Sequence, residues 1–196
     1  GGGVGFSPVV TGSGFNTVNY TTAALSTGTY YYRLKVDCSN GPVTGYSNEV
    51  QVTVATPLSG TYLIDNTGAG DYLSFAAALA DLGCKGIGGP VTFNVTAGQV
   101  FNEASNLECT FTGSAVNTIT FQKLGAGANP VVNRIGTSAS TDYVIKLTGV
   151  DYYTFNGIDF GQTGTSSTDW VDYGIWITNS SATEGAKNNT FKNGTA

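Results

Sequence analysis

The chain has 196 residues, a net charge of −5 with only eight Lys and Arg, and no His. That composition excludes the Ser-His-Asp triad, His general bases and the commonest zinc ligand. It argues against nucleic acid or an anionic membrane as a partner. Charged residues are 11% and hydrophobic ones 40%, so there is apolar material for a core and too little charge for a disordered chain. No apolar run approaches the roughly 18–20 residues of a membrane span. The lack of Met and the Gly1-Gly2-Gly3 start predict a segment of something larger. Cys38, Cys84 and Cys109 lack metal-knuckle spacing. Cys84 and Cys109 are either a local disulfide, as suits an exported protein, or two buried free thiols.

Residues 1–56 read as β structure. Tyr30, Tyr32, Leu34 and Val36 alternate on one face, Ser39-Asn40-Gly41-Pro42 supplies a turn, and residues 48–54 alternate again through Val50, Val52 and Val54. A weaker strand lies near residues 16–22. Together these make about half of a β-sandwich, which needs about seven strands when complete.

After a linker at 55–60, the spacing of Tyr72, Phe75, Ala76, Leu79 and Leu82 predicts one helix over about 72–83. Asp71 is the expected N-cap, and Gly83 or Gly86 the stop. Beyond it, Thr-Phe followed by an amide or Lys occurs at Thr92-Phe93-Asn94, Thr120-Phe121-Gln122, Thr154-Phe155-Asn156 and Thr190-Phe191-Lys192, spaced 28, 34 and 36 residues apart. A second register repeats in Val144-Ile145-Lys146-Leu147 and Gly174-Ile175-Trp176-Ile177. Short strands, Gly/Asn/Ser turns and a drifting period are the signature of a solenoid. Strand alternation then stacks Phe93, Phe121, Phe155 and Phe191 in one inward column, with Thr and the amides facing out.

Two resemblances follow from these stretches. Residues 29–41 and 47–54 resemble the last strands of immunoglobulin-like or fibronectin-like modules in large surface proteins of Bacteroidota. Gly70 to Leu82, Gly89 to Val95 and Asn117 to Gln122 resemble the capping helix and first coils of right-handed β-helix proteins of the pectate-lyase-like superfamily, although Gln99-Val100-Phe101-Asn102 departs from the usual Gly-Thr-Tyr and acidic residue. They imply an all-β chain: a partial immunoglobulin-like β-sandwich at 1–56, then at 57–196 an N-terminal capping helix and the first coils of a right-handed parallel β-helix. They also imply type IX secretion, a cell-surface, outer-membrane-associated or secreted location, and a role like that of adhesins in attachment or gliding.

Enzymes of this fold use clustered Asp with Lys or Arg, sometimes with Ca²⁺. The repeat sets Asp151 against Lys187 and Asp159 against Thr195, so neither forms an acidic pair. Turn and cap chemistry accounts for Asp65 and Asp71. Asp169 and Asp172 are weak candidates for Ca²⁺; no other cofactor is expected. The Asn-x-Ser/Thr sequons follow from composition alone. The outward face carries Trp176 beside Lys146, with Trp170, Tyr152, Tyr153 and Tyr173 as further glycan-contact candidates. The expected function is therefore a non-catalytic structural and adhesive module that binds a surface glycan or polysaccharide, or another surface protein. The alternatives are a polysaccharide lyase or hydrolase with its catalytic coils elsewhere, and a filament or scaffold that self-associates or meets the secretion machinery.

Overall fold

The computed structural model describes residues 12–13, 21–37, 44–137, 142–166 and 168–196. The chain divides into two compact units, Gly1–Thr56 and Pro57–Ala196. In the first, the strands are β1 (Gly12–Ser13), β2 (Thr21–Thr22), β3 (Gly28–Tyr32), β4 (Lys35–Asp37), β5 (Thr44–Tyr46) and β6 (Val50–Val54). They form three antiparallel pairs, β1 with β2, β3 with β6 and β4 with β5. The expected single strand through Val36 breaks at Arg33-Leu34. There Leu34 N–H donates to the Ser47 hydroxyl at 2.8 Å, and its carbonyl accepts from Ser47 N–H at 3.0 Å. Leu34 is consequently exposed and leaves the face of Tyr30 and Tyr32. Cys38 and the turn at 39–42 lie outside the described residues, as does most of the weak strand near 16–22.

The second unit runs β7 (Leu58–Ile64), α1 (Phe75–Lys85), β8 (Ile87–Thr96), β9 (Val100–Glu103), β10 (Leu107–Cys109), β11 (Ile119–Leu124), β12 (Val131–Arg134), β13 (Tyr143–Thr148), β14 (Tyr153–Asn156), β15 (Asp159–Gln162), β16 (Tyr173–Thr178) and β17 (Thr190–Lys192). Every pairing among these strands is parallel. They form three sheets, in the orders β7-β8-β11-β14-β17, β9-β12-β15 and β10-β13-β16. Three consecutive strands thus make one coil, and each coil stacks on the last as a parallel β-helix.

The repeat sets the register. Phe93, Phe121, Phe155 and Phe191 are direct partners, flanked by the Thr and the amide or Lys columns. Their rings stack at 4.6, 5.2 and 5.0 Å, as neighbouring parallel strands about 4.7–4.9 Å apart require. Gln122 Nε2 donates to Asn94 Oδ1 at 3.0 Å in the outward amide column. Hydroxyls and amides stay wet while the rings between them stay dry, and this difference holds the alternation in place.

The helix begins three residues later than its apolar spacing suggests. Ser74, not Asp71, is the N-cap, its hydroxyl accepting from Ala77 N–H at 3.1 Å. Asp71 instead accepts from Leu63 N–H at 2.7 Å, and Tyr72 bridges to Ile64, which holds that stretch extended. Gly86 ends the helix at φ 65°; a side chain there would be strained and would meet the Phe111 ring. Phe75, Ala78, Leu79 and Leu82 are the buried face, and Phe75 stacks on Phe121 at 5.5 Å and edges Phe101 at 5.3 Å.

No acidic residue lies in the helix's first turn, but Glu103 of β9 supplies one from outside. Its Oε1 accepts from Phe75 N–H at 2.9 Å, and the residue is buried. Burial raises its pKa, against backbone hydrogen bonds that lower it. Such a group stabilises the fold most when protonated, and that contribution is lost as pH rises through the folded pKa. Glu103→Gln keeps the acceptor and should remove this pH slope just above the ordinary Glu value. Glu103→Ala should cost about 1–3 kcal/mol by orphaning the Phe75 N–H. Urea midpoints between pH 4 and 8 check both; an unchanged slope in Glu103→Gln would contradict the assignment.

Candidate functional site

The best-assembled group of polar and aromatic side chains lies on the β10-β13-β16 sheet. Register sets Glu108, Lys146 and Trp176 in one column across three coils, between the column Leu107, Ile145, Ile175 and the column Cys109, Leu147, Ile177. Leu107, Cys109, Ile145 and Leu147 are buried and Ile175 packs against the core; Ile177 keeps half its surface exposed. Lys146 Nζ lies over the Trp176 ring at 4.3 Å and reaches Glu108 at 3.6 Å. Tyr143 donates its hydroxyl to Glu108 at 2.8 Å and meets Trp176 edge-on at 5.5 Å. Tyr173 stacks on Trp176 at 5.1 Å and is 45% exposed.

Burial and the bond to Glu108 push the Tyr143 pKa up to about 12, so its hydroxyl stays a donor at neutral pH. The Lys146 ammonium and Glu108 carboxylate offset one another. What remains is a fixed aromatic surface with polar edges, which suits a neutral ligand having both apolar faces and hydroxyls. Its one carboxylate, Glu108, is tied to the Lys146 ammonium and the Tyr143 phenol.

The other expected contact residues do not join this patch. Tyr153 is fully buried, its hydroxyl donating to the Phe111 carbonyl at 2.7 Å. It continues the inward column of Val91 and Ile119, so it is a core residue and offers no face to a ligand. Tyr152 is half-buried at a turn with φ 63°. Trp170 is 57% exposed on the loop between β15 and β16, and its backbone carbonyl packs over Gly136.

Asp169 and Asp172 serve that same loop separately. The Asp169 carbonyl accepts from Gly136 N–H at 2.7 Å, and the Asp172 carboxylate accepts from Asp142 N–H at 3.0 Å. Among the described residues, no group of three or more His, Cys, Asp or Glu is placed to hold a metal ion. Of the two alternatives for Cys84 and Cys109, the structure has free thiols, with Cys109 buried but Cys84 exposed on α1. Asp151 and Asp159 meet Lys187 and Thr195 as the repeat places them, but through backbone N–H groups, at 2.5 and 2.9 Å. Asp65 accepts from Thr67 and Thr96, a turn role.

A charged network absent from the sequence reading lies where β12 leads into β13. Arg134 and Asp142 form a buried ion pair at 3.0 Å. Asp142 also accepts from the Thr137 N–H and from its hydroxyl, the latter at 2.9 Å. Burial favours the neutral acid, yet these hydrogen bonds and Arg134 hold the carboxyl below its ordinary range. The Asp142 carbonyl accepts from Tyr173 N–H at 3.0 Å, which ties the network to the aromatic patch.

Among the described residues, no helix is long and apolar enough to cross a membrane. The chain matches no family model, no curated protein and no solved structure.

Proposed function

We propose that this chain is part of a large exported cell-surface protein and serves as an adhesive module that binds neutral glycans through the Tyr173–Trp176 patch. The observation that carries this reading is the assembly of Glu108, Tyr143, Lys146, Tyr173 and Trp176 from three coils into one surface. Low charge density and a repeated polar exterior agree with an extracellular surface module. On this reading the coils wind right-handed, as parallel crossovers nearly always do. The helix caps the first coil, shielding a solenoid end from edge-to-edge association. Residues 1–56 are the last strands of an immunoglobulin-like module, and export follows the Bacteroidota type IX route toward attachment or gliding.

A glycan array on the 196-residue chain, paired with an assay for new reducing ends with and without Ca²⁺, tests the proposal. Retention of at least one neutral glycan without chain scission is the expected result, and Trp176→Ala and Tyr173→Ala should each weaken it about tenfold or more. Scission would instead favour a polysaccharide-degrading enzyme. Silence in both assays would favour a scaffold or a protein partner.

A further inference from the structure

A groove of about 370 Å³ lies between α1 and β10, within the usual size range for small-ligand sites. On its helix side Ala76 and Ala80 put only methyl groups into the opening, and the buried Leu79 and Leu107 add apolar lining. The facing segment is polar, through Ser105, Asn106 and Glu108. Glu108 is also one end of the column it forms with Lys146 and Trp176, so the groove and the aromatic patch are continuous. Both Glu108 and Asn106 have spare hydrogen-bonding capacity at this junction. Glu108 Oε1 serves Tyr143 and Lys146, and Asn106 Oδ1 accepts from Tyr143 N–H at 3.4 Å. Among the described residues, neither Glu108 Oε2 nor Asn106 Nδ2 has a partner. The Glu108 side chain is 48% exposed, so its second oxygen is open to a ligand.

We propose that the patch and this groove form one continuous binding face for an extended, neutral β-1,4-linked glycan of at least three sugars. The proposal rests on the reading of the patch as a glycan site and specifies its ligand. Register sets Glu108, Lys146 and Trp176 in one column across three coils, so Trp176 and Glu108 stand two strand spacings apart, roughly 10 Å. One pyranose ring does not span that distance. The first ring lies on the Tyr173–Trp176 surface, the second crosses Lys146, and the third enters the groove. There Glu108 Oε2 accepts from a ring hydroxyl, Asn106 Nδ2 donates to a sugar oxygen, and the methyl groups of Ala76 and Ala80 meet the apolar face of the ring. Equatorial linkages at both ends of each ring keep a β-1,4 chain flat and straight, as the column is, whereas an α-1,4 chain curves away from it. The Lys146–Glu108 pair leaves no net charge along this line, which favours a neutral chain over a polyuronate.

Isothermal titration calorimetry on the 196-residue chain tests this, with cellotetraose and cellobiose as probes and maltotetraose as the curved control. Cellotetraose should bind about tenfold or more tighter than cellobiose, and maltotetraose no better than cellobiose. Ala80→Trp and Ser105→Leu, at exposed positions on opposite walls of the groove, should each bring cellotetraose down to the cellobiose level. Cellobiose binding and Tm should stay unchanged in both, and either variant decides the matter if the other does not fold. Tyr173→Ala should weaken both sugars, and so reports on the patch by itself. Equal affinity for the two lengths, tight cellotetraose binding in either groove variant, or equally tight maltotetraose would overturn the groove extension, even where Tyr173→Ala still abolishes binding and the patch stands. Failure of both cello-oligosaccharides to bind would overturn the ligand assignment, and the glycan array judges the patch separately.

Discussion

Phe121→Ala is expected to destabilise the β-helix by about 3–5 kcal/mol, the range for emptying a fully buried aromatic site, and to lower Tm by about 10 °C or more. Phe121 is fully buried and stacks on three rings, those of Phe75, Phe93 and Phe155. Strand backbones in a parallel ladder cannot close over the cavity without breaking register with β8 and β14, so relaxation is limited. The same change at Phe191, which is only half-buried and stacks on Phe155, should cost much less. Urea denaturation of both variants measures the difference. Equal losses would mean that the column does not act as the continuous core its register implies.

Asp142→Ala should be comparably severe, about 3–5 kcal/mol, because it leaves Arg134 as a buried charge without its partner. It also leaves the Thr137 N–H and hydroxyl without their acceptor. Asp142→Asn keeps an acceptor and should cost less. The two differ in a further way that pH exposes. A carboxyl held below its ordinary value, near 3.8, contributes stability that is present above that value and is lost as pH falls through the folded pKa. The gap between wild type and Asp142→Asn should therefore be full at pH 6 and shrink below about pH 4. Asp65, whose carboxyl is held down by Thr67 and other hydrogen bonds, acts in the same direction in both proteins and cancels from the comparison. A gap that stays constant down to pH 2 would contradict the charge-pair account.

Much of the β-helix was legible because its signal is repeated and periodic. Thr-Phe followed by an amide or Lys recurs once per coil at a drifting spacing of 28 to 36 residues, and one register error would turn every Phe outward; the match of Lys146 with Trp176 follows from the same logic. The β9-β12-β15 sheet was harder to see, since Val132 interrupts the column between Phe101 and Phe160 and no short motif recurs along it. Tyr153 was misread as a surface ring although it lies two residues before Phe155 and so must face the same way.

Tertiary chemistry accounts for the remaining differences. The helix start depends on Asp71 being taken by Leu63 N–H, a contact from another strand. The capping carboxylate, Glu103, lies 28 residues beyond the N–H it binds, and no local pattern announces such a partner. Glu108 and Tyr143 completed the patch only once β10 was placed beside β13, because a three-residue strand carries too little periodicity to be read alone. Within residues 1–56, Tyr30 and Tyr32 kept the predicted face, whereas Leu34 lost it to a kink fixed by Ser47.

The claim that residues from successive coils form one glycan-binding surface is tested most directly by the fluorescence of Trp176. The chain has two Trp, so Trp170→Phe leaves Trp176 as the sole indole reporter, already in contact with Lys146, Tyr143 and Tyr173. Titration of this variant with a glycan retained on the array should give a saturable change in Trp176 emission that Tyr173→Ala abolishes. Saturable binding of that glycan with Trp176 emission unmoved would place the ligand elsewhere and contradict the account.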